Sequence, residues 1–127
     1  MYVQKFRKLT VWQRSIAFVT DIYQLTSQFP KEEKFGLIDQ IRRASVSVAS
    51  NIAEGFERES NNQFVYFLTI AKASAGEVRT QLYIARNQKY ITEEKFSELY
   101  QKVKDVSKTI SGFISYLREI KRKAIVH

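Results

Sequence analysis

Phe96, Leu99, Val103, Val106, Ile110, Phe113, Leu117 and Ile120 recur at alternating spacings of three and four residues over seven consecutive steps. A helix of ~3.6 residues per turn carries all of them on one stripe, and a sustained heptad seam drives left-handed packing near about +20° against partner helices. The spacing predicts a helix over 93–122. Thr92 is placed to cap it, and Glu93 and Glu94 suit the positive end of its dipole. A seam of that length needs other helices to cover it.

Three more amphipathic segments supply them. The first, over 10–27, carries Trp12, Ile16, Val19 and Tyr23 on one stripe, with Val11, Phe18, Ile22 and Leu25 to one side. Phe29-Pro30 ends it, because the residue before proline is pushed out of the α region. The second, over 36–56, has Leu37, Ile41, Ala44, Val48 and Ile52 as its core stripe. The third, over 61–89, opens on the capping pair Ser60 and Gln63 and buries Phe64, Phe67, Leu68, Ala71, Ala75, Val78, Leu82 and Ala85. Short connections between four such helices predict an all-α, antiparallel up-and-down four-helix bundle spanning residues 1–127 as one domain.

Composition narrows the chemistry. One proline and four glycines leave little turn material for a β-sandwich or barrel, and cysteine is absent, so thiolate nucleophiles, disulfides and zinc fingers are excluded. The single histidine, His127, gives no basis for histidine catalysis. A di-iron carboxylate site needs Glu-x-x-His pairs on two helices, and no predicted helix holds a histidine. Phosphate-binding glycine loops are missing as well. No cofactor, metal or small-molecule substrate is expected. Neither a signal peptide nor a membrane-spanning stretch is visible, which predicts a cytoplasmic protein that does not act at a membrane.

A polar row runs beside the core stripe of the second helix: Gln40, Arg43, Ser47, Ser50, Asn51 and Glu54. Glu54 could serve as a general base oriented by Asn51 and Arg43, but no nucleophile or second titratable group accompanies it. A hydrogen-bonded network at a helix seam is the stronger reading, and the chain is expected not to be an enzyme.

Charge points elsewhere. Twenty-one Lys and Arg against thirteen Asp and Glu give a net charge of +8, which suits an anionic partner. Lys72, Arg79 and Arg86 follow at heptad spacing on the third helix, and Tyr83 and Tyr90 fall on the same strip. On the fourth, Lys104, Lys108, Ser111, Ser115, Arg118 and Arg122 form a row without an acid, extended by Lys121 and Lys123. Cations alternating with aromatics suit nucleic acid, whose backbone they neutralise and whose bases they stack. Arg42, Arg43 and the arm Lys5, Arg7 and Lys8 are weaker candidates. The plainer reading is that these stems snorkel along apolar seams.

Spare apolar rows predict self-association: Tyr66, Ile70, Ala73 and Ile84 on the third helix, and the row with Phe18 and Ile22 on the first.

With the helices placed, a resemblance emerges. Phe29-Pro30, then Glu33, Phe35-Gly36-Leu37, Gln40-Ile41-Arg42-Arg43-Ala44 and Ser47-Val48 leading into Ser50-Asn51-Ile52-Ala53-Glu54-Gly55-Phe56, resemble the 23S rRNA-intervening sequence protein family, also called S23 ribosomal proteins. Leu9, Val11-Trp12-Gln13 and the Phe67–Glu77 stretch agree. The resemblance implies a small bacterial four-helix bundle that assembles as a homopentamer, with no catalytic role attached to the family. Two functions follow as expectations: an oligomeric nucleic-acid-binding module, for RNA ahead of DNA, or a protein-interaction scaffold whose positive charge is incidental.

Overall fold

The computed structural model describes residues 8–126, with side chains for residues 8–120. Arg122, Lys121, Lys123, Lys5 and Arg7 therefore lie outside the described side chains. The chain forms α1 (Thr10–Thr26), a single 3-10 turn (Lys31–Glu33), α2 (Leu37–Phe56), α3 (Asn61–Asn87) and α4 (Glu93–Val126). α1 packs on α2 and α4, and α3 packs on the same two helices from the opposite side. This is the expected four-helix bundle.

The helix ends follow local chemistry. Ser60 Oγ accepts from the Gln63 amide at 3.2 Å, and Thr92 Oγ1 from the Lys95 amide at 3.1 Å, so α3 and α4 both begin on hydroxyl caps. α3 stops at Asn87 because Lys89 turns left-handed, with φ 62°, and sends Tyr90 N back to Ala85 O at 2.9 Å. That is a Schellman closure with lysine where glycine is usual.

The core is assembled as the apolar rows of α2 and α3 predict, with Phe67 half-buried at its edge. The α4 seam holds from Phe96 to Ile110 and again at Leu117. Between them Ile114 takes the inward place at 7% exposure beside half-buried Phe113, and Ile120 is left 39% exposed. Close approach of α2 to α3 depends on Gly55: a Cβ there would stand 2.9 Å from both Phe64 Cδ1 and Phe67 Cβ.

The two faces of α1 are the reverse of the expectation. Phe18 and Ile22 sit in the core at 2% and 0% exposure, so they cannot form an oligomer interface. The exposed stripe is the one with Ile16 and Tyr23, at 39% and 43%. Both rows have helical spacing, so periodicity does not choose between them. The buried arc is Val11, Ser15, Phe18, Ile22 and Thr26, and its two hydroxyl residues disguise it. Each bonds within its own helix, Ser15 Oγ to Trp12 O at 2.6 Å and Thr26 Oγ1 to Ile22 O at 2.8 Å, which removes the cost of burying them.

At the end carrying both the α1–α2 and α3–α4 connections, Phe29, Leu37 and Ala85 form a second small core against Tyr90. Glu33 fastens it. Its Oε1 accepts from the Leu37 amide at 3.0 Å and its Oε2 from the Tyr90 hydroxyl at 2.8 Å. The Leu37 amide, followed by the Tyr90 hydroxyl, holds the Glu33 carboxyl below the usual carboxylate range. The same bond from Glu33 is the main cause pushing the Tyr90 phenol up.

Candidate nucleic-acid interface

Each flank of α3 is identified by what it touches. The α2 side is marked by the 2.9 Å bond between Ser47 Oγ and Ser74 Oγ. The α4 side is marked by Tyr83, whose ring centroid lies 5.0 Å from that of Phe96 and 5.3 Å from that of Tyr100. At 100° per residue, Lys72, Arg79 and Arg86 fall on the Tyr83 flank and so face α4. Lys72 and Arg86 are about 21 Å apart along the axis, at ~1.5 Å per residue.

The corresponding test on α4 divides its cations. Its α1 side is defined by Lys102 Nζ on Asp21 Oδ2 at 2.8 Å and by Arg14 Nη1 donating to Thr109 Oγ1 at 2.9 Å. Tyr100 defines the α3 side. Lys104, Ser111, Ser115 and Arg118 share that flank by helical phase. Lys108 does not: it stands on the outer crest and helps line a cavity between α1 and α4 with Arg14, Phe18 and Val106.

Two predicted rows on separate helices therefore converge into one strip along the α3–α4 seam. Because the helices run antiparallel, Arg86 lies level with Phe96, Tyr83 with Tyr100, and Arg79 with Lys104; Lys72 and Arg118 continue the strip. Glu93 reaches its end to pair with Arg86, but acids along its middle turn away. Glu77, the only acid of α3, projects from its far side, and Glu98 and Asp105 lie on the α1-facing side of α4.

Ion pairs hold some of the cations elsewhere, while Lys8, Arg14, Lys31, Lys34, Arg42, Lys89 and Lys108 pair with no carboxylate among the described side chains. Asp39 holds Arg43, Glu54 holds Arg58, and Asp21 and Glu98 hold Lys102, at 3.0, 3.6, 2.8 and 3.7 Å. Hydrogen bonding to Asp21 pushes the Lys102 ammonium above its usual value. Among the described side chains, Lys72, Arg79, Lys104 and Arg118 pair with no carboxylate. Their mutual repulsion is unrelieved within the described chain, and a bound polyanion would relieve it.

Arg86 is anchored differently. Its guanidinium lies 4.7 Å from the Phe96 centroid and 5.0 Å from that of Tyr83, and it pairs with Glu93 at 3.7 Å. Contact with two adjoining rings fixes it at one end of the strip. Tyr83 remains 41% exposed there. The neighbouring Tyr100 hydroxyl pushes its phenol above the usual tyrosine value.

The polar row of α2 is partly a network. Asn51 Nδ2 donates to Ser47 O at 2.8 Å and to Ser47 Oγ at 2.9 Å, and Ser47 bonds Ser74, tying α2 to α3. Arg43 and Glu54 turn to their own i±4 partners, while Gln40 and Ser50 stay exposed outside the network. On the outer face of α3, Tyr66 and Ile84 are 62% and 44% exposed, Ala73 is exposed and Ile70 half-buried. Among the described residues there is no group of three or more potential metal ligands, and no helix is long and apolar enough to cross a membrane.

The model of the 23S rRNA-intervening sequence proteins matches residues 7–112, which takes in all of α1, α2 and α3 and most of α4. The chain belongs to that family. A solved structure of a protein of unknown function from the S23 ribosomal protein family of Bacteroides thetaiotaomicron VPI-5482 is similar to this family member, with a TM-score of 0.78 at 26% identity. The likeness covers 91% of this chain and 99% of that one. No curated protein sequence matches. The matched span of this 23S rRNA-intervening sequence protein includes the α3 cations and Lys104, and stops short of Arg118.

Proposed function

We propose that this protein is a non-enzymatic module that binds nucleic acid, RNA ahead of DNA, along the α3–α4 strip. The observation that carries the reading is the alignment of charge: Lys72, Arg79, Lys104 and Arg118, none with a carboxylate partner among the described side chains, fall on the facing flanks of α3 and α4 along one seam beside Tyr83. The family's name, which ties its members to an intervening sequence of 23S rRNA, supports RNA as the polyanion.

The test is fluorescence anisotropy of a labelled structured RNA titrated at several salt concentrations. Neutralising about four phosphates per chain gives a slope of log K against log salt near −3 to −4. Reversing Arg79→Glu together with Lys104→Glu is expected to abolish binding with helicity unchanged. Undiminished affinity in that variant would remove the assignment.

A second reading, protein interaction, is favoured by a separate observation: Ile16, Tyr23 and Val46 on the α1–α2 side, and Tyr66 and Ile84 on α3, are all at least 38% exposed. We take the α3 group, with Ile70 and Ala73, as a contact between copies of the chain, and the family resemblance suggests a pentamer. Light scattering checks this: wild type should exceed the 14.9 kDa monomer mass, and Ile70→Asp should return it there.

A further inference from the structure

We infer that the α3–α4 strip takes an unpaired strand, with one base stacked at Tyr83, and discriminates against duplex. The inference rests on the nucleic-acid reading above and specifies which form of the polymer that site accepts.

The strip is not a uniform band of charge. Between the guanidinium of Arg86 and the level of Arg79 and Lys104 it carries an aromatic cluster, in which Tyr83, Phe96 and Tyr100 all lie within 5.3 Å of one another by ring centroids. Phe96 is buried and Tyr100 half-buried, so they serve as the floor, and Tyr83 is the ring left accessible. A duplex keeps its bases stacked inside and presents a phosphate surface. Tyr83 would find no partner there and would be desolvated against charged oxygens. An unpaired strand offers a base face at every nucleotide, and aromatic rings accept such faces whatever their sequence.

Rigidity points the same way. Arg86 is held against two adjoining rings and by Glu93, so the cluster is ordered before any ligand arrives, and little side-chain freedom remains to be lost. The shape of the strip agrees. α3 carries its cations along about 21 Å of helix axis between Lys72 and Arg86, and Lys104 of α4 lies level with Arg79. The backbone of a duplex spirals away from a straight line, whereas a flexible single strand can follow it.

The experiment compares a fluorescein-labelled, unstructured 12-nucleotide RNA with the same strand annealed to its complement, using the full-length protein. The inference predicts at least tenfold tighter binding of the single strand. Tyr83→Leu should lose about five- to a hundredfold on the single strand, with the salt slope unchanged, because stacking releases no counterions. Tyr83→Phe should retain affinity. Tyr83→Trp should retain it too, and its indole fluorescence should be quenched by the strand, a readout independent of whether the Leu variant packs normally. Equal or tighter binding of the duplex, with the Tyr83→Trp fluorescence unaltered, would overturn the inference and leave the nucleic-acid reading standing. Failure of both probes to bind at low salt would overturn that reading as well.

Discussion

The two flanks of α4 carry the same residue types to different ends. Toward α1, Lys95 and Lys102 meet Glu98 and Asp21 at 2.8–3.7 Å, and Thr109 accepts from Arg14. Toward α3, Lys104 and Arg118 have neither acid nor acceptor among the described side chains, and their neighbours are Tyr100 and the arginines of α3. Exposed ion pairs contribute only up to ~1 kcal/mol each, so the first flank gains modest stability and a defined helix register. Apart from Glu93 on Arg86 at its end, the second flank gains no ion pair among the described side chains. Charge that the fold does not use is charge available to a partner.

If stability and binding live on separate surfaces, variants should separate them. The largest expected effect is on stability alone. Gly55→Ala drives a methyl into Phe64 and Phe67 where the gap is 2.9 Å, and should cost about 1–3 kcal/mol by denaturant titration. RNA affinity of the folded fraction should stay unchanged.

A smaller gain is expected from Lys89→Gly, which relieves a left-handed lysine at φ 62° and should add up to ~1 kcal/mol. It lies outside the strip, so losing one charge there should leave affinity nearly intact.

Lys102→Gln removes the Asp21 pair on the α1 flank and should cost no more than ~1 kcal/mol. Its pH dependence has a definite sign. The ammonium is raised in the folded state, so its contribution is complete below the ordinary lysine value and fades as pH rises through the folded one. Wild type and variant should therefore converge in strong alkali.

The smallest effect is expected at the pin between Glu33 and Tyr90. Glu33 is lowered, so its contribution is present above the ordinary carboxylate value and is lost as pH falls through the folded one. Tyr90 is raised, so its contribution is lost as pH climbs past the ordinary tyrosine range. Tyr90→Phe should flatten both limbs of a melting-temperature profile while leaving the neutral plateau slightly lower.

Much of the fold is legible in the sequence because apolar spacing reports burial directly. The α4 seam and the core rows of α2 and α3 are read from it almost residue for residue. α1 defeats the same method. Two apolar rows compete there, and the one that is buried includes Ser15 and Thr26, whose hydroxyls are satisfied only once the helix exists. Ser74 and Gln81 are buried for a related reason, since a place on the α2-facing flank of α3 is a property of packing rather than of hydropathy. The candidate site was legible as two rows but not as one strip. Nothing in either row alone shows that Arg79 and Lys104 meet across a seam, and Lys108 belongs to its row by spacing while its direction carries it away.

The account rests on position rather than on net charge, and a charge-matched pair of variants tests that most directly. Arg79→Gln with Lys104→Gln removes two charges from the α3–α4 strip, and Lys95→Gln with Lys102→Gln removes two from the opposite flank. Anisotropy of one labelled single-stranded RNA against both, across a salt series, should show the first pair losing roughly tenfold or more, with a salt slope shallower by about one to two, and the second pair close to wild type. Equal losses in both would mean that the net charge of +8, and not the seam, draws in the nucleic acid, and would contradict the account.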